Sequence, residues 1–187
     1  MFSKTEIKDL LISVLVVSLI FSSLKFDTIL ETIFIVFMVF ITHELAHKFV
    51  AQHYGCFAQY KIWYFGILLG LITALIPGGI VFVAPGAVHI SPFGRKKFAF
   101  RIVHLTRKDY GIISLSGPLT NVIIGVSFLL MSFFYPLSIF YSISRISFFL
   151  AFFNLIPFPP LDGSKVFAWD RRIWLVIIAI SLVGLFL

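Results

Sequence analysis

The sequence predicts a multi-pass α-helical integral membrane protein, with about five transmembrane helices and a membrane-associated re-entrant β segment. Three observations predict it. Of the 187 residues, 60% are hydrophobic and only 12% are charged, where a soluble domain carries about a quarter charged residues. Mean hydropathy is +1.06. Apolar runs of helical length recur along the chain, and Lys and Arg collect between them. The bilayer is therefore the solvent for most of this chain. A net charge of +7 then places basic loops against anionic lipid headgroups, and nucleic acid is not expected as a partner. The lone cysteine, Cys56, excludes an internal disulfide.

Residues 10–24 are uncharged and flanked by Lys8, Asp9 and Lys25. No small-residue cleavage site follows them, so they read as a retained first span rather than a signal peptide. The second span is residues 28–50. The third, 111–134, and the fourth, 138–157, share a tight turn at Tyr135-Pro136. The fifth, 173–187, is short for a hydrocarbon core of roughly 30 Å.

Charge decides the remaining apolar stretch, residues 62–90. Thirteen of the fifteen Lys and Arg residues lie in three groups, at 4–8, 48–108 and 165–172, leaving out only Lys25 and Arg145. A single crossing by residues 62–90 would put Arg95, Lys96, Lys97, Arg101, Arg107 and Lys108 outside, against the positive-inside rule. If the stretch enters and leaves by one face, all three groups are cytoplasmic. Pro77-Gly78-Gly79 and Pro85-Gly86 interrupt any helix there, and residues 80–83 and 87–90 favour strand. A re-entrant β hairpin beside a wet cavity is expected, because non-helical backbone survives at that depth only when it is buried or lines such a cavity; a short broken helical hairpin is the alternative.

The chemistry sits at the far end of the second span, in His43-Glu44-Leu45-Ala46-His47. Two histidines four apart share one face of a helix, so both imidazoles reach one metal ion, and the glutamate between them is placed to deprotonate a water. A catalytic zinc needs a third protein ligand. No glutamate follows Glu44. His53 has the metzincin spacing, but Val50 stands where that class needs glycine, and His53 would point about 120° from the pair. Cys56 would close a structural site and leave Glu44 without a task. His89 and His104 fall in the expected strand and the basic loop. Among aspartates, Asp109 and Asp170 lie amid basic residues. Asp162 nearly ends Asn154-Leu155-Ile156-Pro157-Phe158-Pro159-Pro160-Leu161-Asp162-Gly163, at the same face as His47. There the prolines extend the chain and Gly163 permits a turn.

With these strings in view, the chain resembles the site-2 proteases, zinc intramembrane metalloproteases, most closely their compact archaeal and bacterial members. The match runs from about residue 28 to residue 163. It rests on the His43 to His47 string, Phe82-Val83-Ala84-Pro85-Gly86-Ala87-Val88, Ser116-Gly117-Pro118-Leu119-Thr120-Asn121, and the Asn154 to Gly163 string. The resemblance implies one zinc on His43, His47 and Asp162, Glu44 as catalytic base, Asn154 near the substrate backbone, and a membrane-embedded β segment over residues 80–90. It also implies a cell-membrane location, an active site near the cytoplasmic face and a single-span membrane protein as substrate. The chain is expected to be one catalytic domain with no PDZ or CBS unit.

From the residues themselves, Val81, Phe82 and Val83 are expected to offer a strand edge to an extended substrate. Gly117, Asn121 and Gly125 form one helix face, read either as a packing seam or as Asn121 serving the site and its substrate. A membrane metal-binding protein or transporter is the alternative reading, and it has no use for Glu44. A histidine-box oxidase needs several His clusters, and only one pair here has that spacing.

Overall fold

The computed structural model describes residues 2–22, 28–76, 81–91, 93–96 and 99–187, with backbone alone at 93–96 and 99–101. The order is α1 (Lys4–Phe21), α2 (Ile29–His53), β1 (Phe57–Ile62), α3 (Tyr64–Ala74), β2 (Gly86–Ser91), β3 (Phe93–Lys96), β4 (Ala99–Ile102), α4 (Arg107–Phe134), α5 (Ser138–Asn154), α6 (Asp162–Trp169) and α7 (Arg171–Gly184). The fold is thus mostly helical. Ser3 Oγ accepts the Glu6 N–H at 3.1 Å to start α1, and a Thr106/Asp109 capping box starts α4, each satisfying amides that have no partner inside the helix.

Among the described residues, α2 (25 residues) and α4 (28 residues) are each long and apolar enough to cross a membrane. The expected first, fourth and fifth spans appear as α1, α5 and α7, of 18, 17 and 14 residues. Lys4, Glu6, Lys8 and Asp9 occupy the start of α1. α5 and α7 are about 25 and 21 Å long, under the thickness of a typical hydrocarbon core. Lys25 lies outside the described residues.

α2 is central. Its Ile35, Val36, Val39 and Phe40 pack with Leu10, Val14 and Val17 of α1 and with Ile143 and Leu150 of α5. α4 and α5 close on each other at Gly125, where the Ser144 hydroxyl donates to the Gly125 carbonyl at 2.8 Å.

Residues 62–90 depart from the expected hairpin. Residues 87–90 do lie in a strand, β2, but its partner is β1, antiparallel from Phe57↔Ser91 to Ile62↔Gly86. Helix α3 fills much of the stretch between them. Residues 81–85 form no strand, so Val81, Phe82 and Val83 present no ladder edge. Ile80 and Pro77-Gly78-Gly79 lie outside the described residues. The reason is close packing on α3. A Cβ at Gly66 would stand 2.0 Å from the Ala84 carbonyl oxygen, and one at Gly70 would stand 2.8 Å from that of Phe82. The Phe82 N–H is meanwhile taken by Thr73 Oγ1 at 3.0 Å.

The outer edge of β1 is covered by α1. Glu6 Oε1 accepts the Tyr60 N–H at 3.0 Å, and Asp9 Oδ2 accepts the Ile62 N–H at 3.4 Å. Opposite residues of an antiparallel ladder point their backbone groups the same way, both inward or both outward. Gly86, Val88 and Ile90, opposite Ile62, Tyr60 and Ala58, therefore direct theirs to the other edge of β2, free in that no strand pairs with it among the described residues. Lys48 belongs to this arrangement and not to a headgroup-facing loop. It is 2% exposed, and its Nζ lies 2.5 and 2.6 Å from the two Glu6 oxygens.

Candidate metal centre

His43, Glu44 and His47 lie on α2 and are all buried. His47 Nε2 is 3.0 Å from His43 Nε2 and 3.0 Å from Asp162 Oδ2, while His43 Nε2 is 3.6 Å from the same oxygen. These three side chains are the one group among the described residues whose donor atoms could share an ion, all within 4.8 Å of one another. His53, at the end of α2, is not in the group, and neither are His89 and His104. Cys56 is buried beside Ala51, Ala58 and Ile113. Desolvation pushes its thiol up, and the Asp109 carboxylate adds to that, so it stays protonated and a poor donor.

Asp162 arrives by a route the sequence only partly disclosed. α5 ends at Leu155, the prolines carry the chain onward, and Asp162 opens the short helix α6. Gly163 is needed for approach rather than for a turn, because a Cβ there would stand 2.1 Å from the Leu155 carbonyl oxygen. That carbonyl also accepts the Trp174 indole N–H at 2.7 Å, so Trp174 anchors the loop.

α4 supplies no donor to the group yet shapes it. The Ile113 carbonyl lies 2.8 Å from His47 Nδ1, which places that proton on Nδ1 and turns the Nε2 lone pair inward. Asn121 is 0% exposed, with its Nδ2 3.0 Å from His43 Nδ1. Its amide contacts the histidine, and it lines neither cavity beside the centre. A Cβ on Gly117 would stand 2.3 Å from His47 Nε2 and 2.6 Å from His43 Nε2. The glycine at this place is the cradle of the pair.

The donor set fits zinc on structural grounds. Tetrahedral zinc with bonds near 2.05 Å sets neighbouring donors about 3.3 Å apart, and the observed separations of 3.0, 3.0 and 3.6 Å bracket that value. Two imidazoles and one carboxylate leave a fourth position, as a catalytic site requires. Glu44 Oε2 is buried with no hydrogen-bond partner among the described residues. Such an atom in a functional centre calls for a role that the fold alone does not give it.

The group opens into a cavity of about 540 Å³, bounded by β2, by Asn154 and by the Pro159–Pro160 loop. A second space of about 20 Å³, room for one water, lies beside Glu44, Pro85, Gly86 and Asn154. Asn154 donates one amide hydrogen to the Leu150 carbonyl at 2.9 Å, so its second hydrogen has another direction to take. Val81 and Phe82 do not line the large cavity, and Val83 reaches only the small one. Arg145 does not pair with Glu31. It lies over the Tyr141 ring at 5.7 Å.

No family model and no solved structure matches the chain. Two relatives, both from Methanocaldococcus jannaschii, do. The second is a zinc metalloprotease, 27% identical over 137 residues that cover 71% of this chain and 32% of that longer protein. The first bears the name "Putative zinc metalloprotease" and is 42% identical over 193 residues, which cover 98% of this chain and 93% of the relative. Likeness of that degree along almost the whole of both proteins settles kinship, and the chain belongs to the zinc metalloproteases.

Proposed function

We propose that the chain is an intramembrane zinc metalloendopeptidase of site-2 protease type, cutting peptide bonds within or near transmembrane segments of single-span membrane proteins. One observation carries this reading. The Asp162 carboxylate of α6 converges with the His43 and His47 donor atoms beside Glu44, and the two histidines and Glu44 lie on α2, a helix apolar and long enough to cross a membrane. Ionisable groups at that depth are expensive, and they mark function.

His43, His47 and Asp162 hold the zinc. When bound, the metal supplies a Lewis acid that polarises the scissile carbonyl and makes water more acidic. Glu44 takes the proton of the attacking water and returns it to the departing amine nitrogen. Asn154 hydrogen-bonds the substrate backbone with its remaining amide hydrogen. The cleaved segment must leave its helix, because helical carbonyls are already paired. The free edge of β2, at Gly86, Val88 and Ile90, takes up the freed backbone groups by strand addition. This places the substrate strand a few residues beyond the Val81 to Val83 position read from sequence.

In the bilayer, α1, α2, α4, α5 and α7 span and the β1–α3–β2 unit enters and leaves by the cytoplasmic face. The three basic groups and the mouth of the cavity then lie on that side. The short helices fit by local thinning of the bilayer. The test couples metal analysis of purified protein to cleavage of a panel of single-span substrates, with Glu44→Gln as the control. One zinc per chain and cleavage abolished by Glu44→Gln are expected. Zinc with no cleavage of any membrane-embedded bond, or activity that survives Glu44→Gln, overturns the proposal.

A further inference from the structure

The cavity beside the centre is unevenly charged. Its lining includes two carboxylates, Glu44 and Asp162, and two lysines, Lys61 and Lys165. Both carboxylates already have tasks in the reading above, and a divalent ion there adds only positive charge. Lys165 leans toward Asp162, its Nζ 3.8 Å from Oδ1. Lys61 has no such partner: it takes part in no ion pair among the described residues. An ammonium left over on a concave wall concentrates anions more effectively than one on open surface.

The sheet register fixes where such an anion sits. Lys61 pairs with Ala87 across β1 and β2, so their side chains share one face of the sheet, with His89 two positions further along it. Ala58 and Tyr60, on the opposite face, are buried, while Lys61, Ala87 and His89 are exposed. A substrate strand added to the free edge of β2 places one residue directly opposite Ala87, on the Lys61 face. Its Cα lies two strand spacings from that of Lys61, about 9.5 Å. Extended lysine and glutamate side chains reach roughly 6 Å and 4 Å, so the two charges meet over the Ala87 methyl group, which is too small to block them. We infer that Lys61 is a specificity-determining residue of the proposed proteolysis, selecting substrates that carry an acidic side chain, glutamate above all, at the strand position opposite Ala87. The inference rests on the reading above, strand addition to β2 included, and names the substrate class which that reading leaves open. A lysine at the same substrate position meets a like charge and is disfavoured.

The experiment uses full-length, zinc-loaded protein in an uncharged detergent, where no anionic headgroup competes for Lys61. Single-span substrates with blocked termini carry Glu, Gln or Lys at one position at a time along the cut segment. Cleavage gives kcat/KM, and the Glu44→Gln protein gives substrate affinity without turnover. In wild type, Glu is expected to exceed its isostere Gln by about 5–10-fold at one position in both readouts. Smaller gains are expected only an even number of residues away, as strand alternation requires. Lys61→Met should erase the preference for Glu, Lys61→Arg should keep it, and Lys61→Glu should invert it in favour of Lys. Zinc content equal to wild type in all three variants separates lost selection from a lost centre. Glu within about 2-fold of Gln at every position, or a preference that survives Lys61→Met, overturns the inference while the proteolytic reading stands. Protein that cuts no single-span substrate of any sequence overturns that reading and the inference with it.

Discussion

Gly117 is where one methyl group does most damage to the centre. An alanine Cβ there would meet His47 Nε2 at 2.3 Å, His43 Nε2 at 2.6 Å and His47 Cε1 at 2.7 Å. The Nε2 atoms have to retreat by roughly 1 Å to regain ordinary contact. They are poorly placed to do so. His47 is held from behind by the Ile113 carbonyl at 2.8 Å, and His43 by Asn121 at 3.0 Å. Metal–donor distances tolerate only about 0.2 Å, so the Gly117→Ala protein is expected to lose zinc affinity by about 100-fold or more, or roughly 2.7 kcal/mol. Gly125→Ala, two turns along the same face, is the control. Its Cβ meets only the Phe148 ring, at 3.0 to 3.1 Å, so it disturbs packing and leaves zinc binding near wild type. The assay is zinc titration against a competing chelator, with circular dichroism to establish that helix content is unchanged. Zinc affinity of Gly117→Ala within about 3-fold of wild type would refute the claim that this glycine is the cradle of the pair.

Glu44→Gln is expected to retain zinc while cleavage falls about 10²–10⁴-fold, read by metal analysis and turnover on one preparation. Asp162→Asn should strip zinc where His53→Ala leaves it, since only the first removes a donor from the converging group; equal zinc content in the two variants would contradict the assignment. Val88→Pro removes a backbone N–H from the free edge of β2, so cleavage should drop while zinc stays bound, whereas proline at Val81 should leave strand addition intact. Glu6→Gln leaves the buried Lys48 ammonium without its counter-charge and is expected to cost about 3–5 kcal/mol. Adding Lys48→Met should recover part of that loss in thermal unfolding monitored in detergent, and a double mutant less stable than the single one would show that the pair is not the cause.

The helices and the two imidazoles were legible because the signals are local. Apolar run length and an i, i+4 spacing need no knowledge of the rest of the chain. Asp162 was legible for another reason: the membrane confines charges to a few depths, so inventory and topology narrowed the choice. What escaped were contacts between distant segments. Residues 80–83 have strand-forming side chains, but Gly66 and Gly70 on α3 bring that backbone within packing distance of a helix and remove Phe82 from any ladder. β1 carried an alternating signal of its own, with Ala58 and Tyr60 buried, and its short polar positions hid it. Lys48 looked like one more interfacial cation because nothing near it in sequence announces Glu6, 42 positions away. Asn121 and Gly117 were seen as one face of a helix, but the spacing of small residues cannot tell a packing seam from the back wall of a centre.

The division of labour between the helices follows from what a buried ion demands. Donors from separate elements lose affinity if either element drifts, so the supports must be stiffer than the site. α2 gives two donors from a single rod, and their spacing is set by helix geometry alone. The third comes from α6, and the whole risk lies in how α6 is held. Its start is fixed by a close backbone crossing of Gly163 on Leu155 and by the Trp174 indole on the same Leu155 carbonyl, and its end by α4, where Gly111 lets Trp169 lie flush. Each of these contacts needs a glycine or a buried carbonyl and none needs a charge, which suits a buried site, where an extra ion pair carries a desolvation penalty. The fully buried ion pair of Glu6 with Lys48 sits where it also fixes β1 against α1 and α2. It thereby locks the strand on which β2 depends to the helix that carries the imidazoles. Under the proposed strand addition, α1, the helix farthest in sequence from Asp162, sets the register between the substrate strand and the centre, and a protein that keeps its metal after losing α1 should lose the alignment of its substrate.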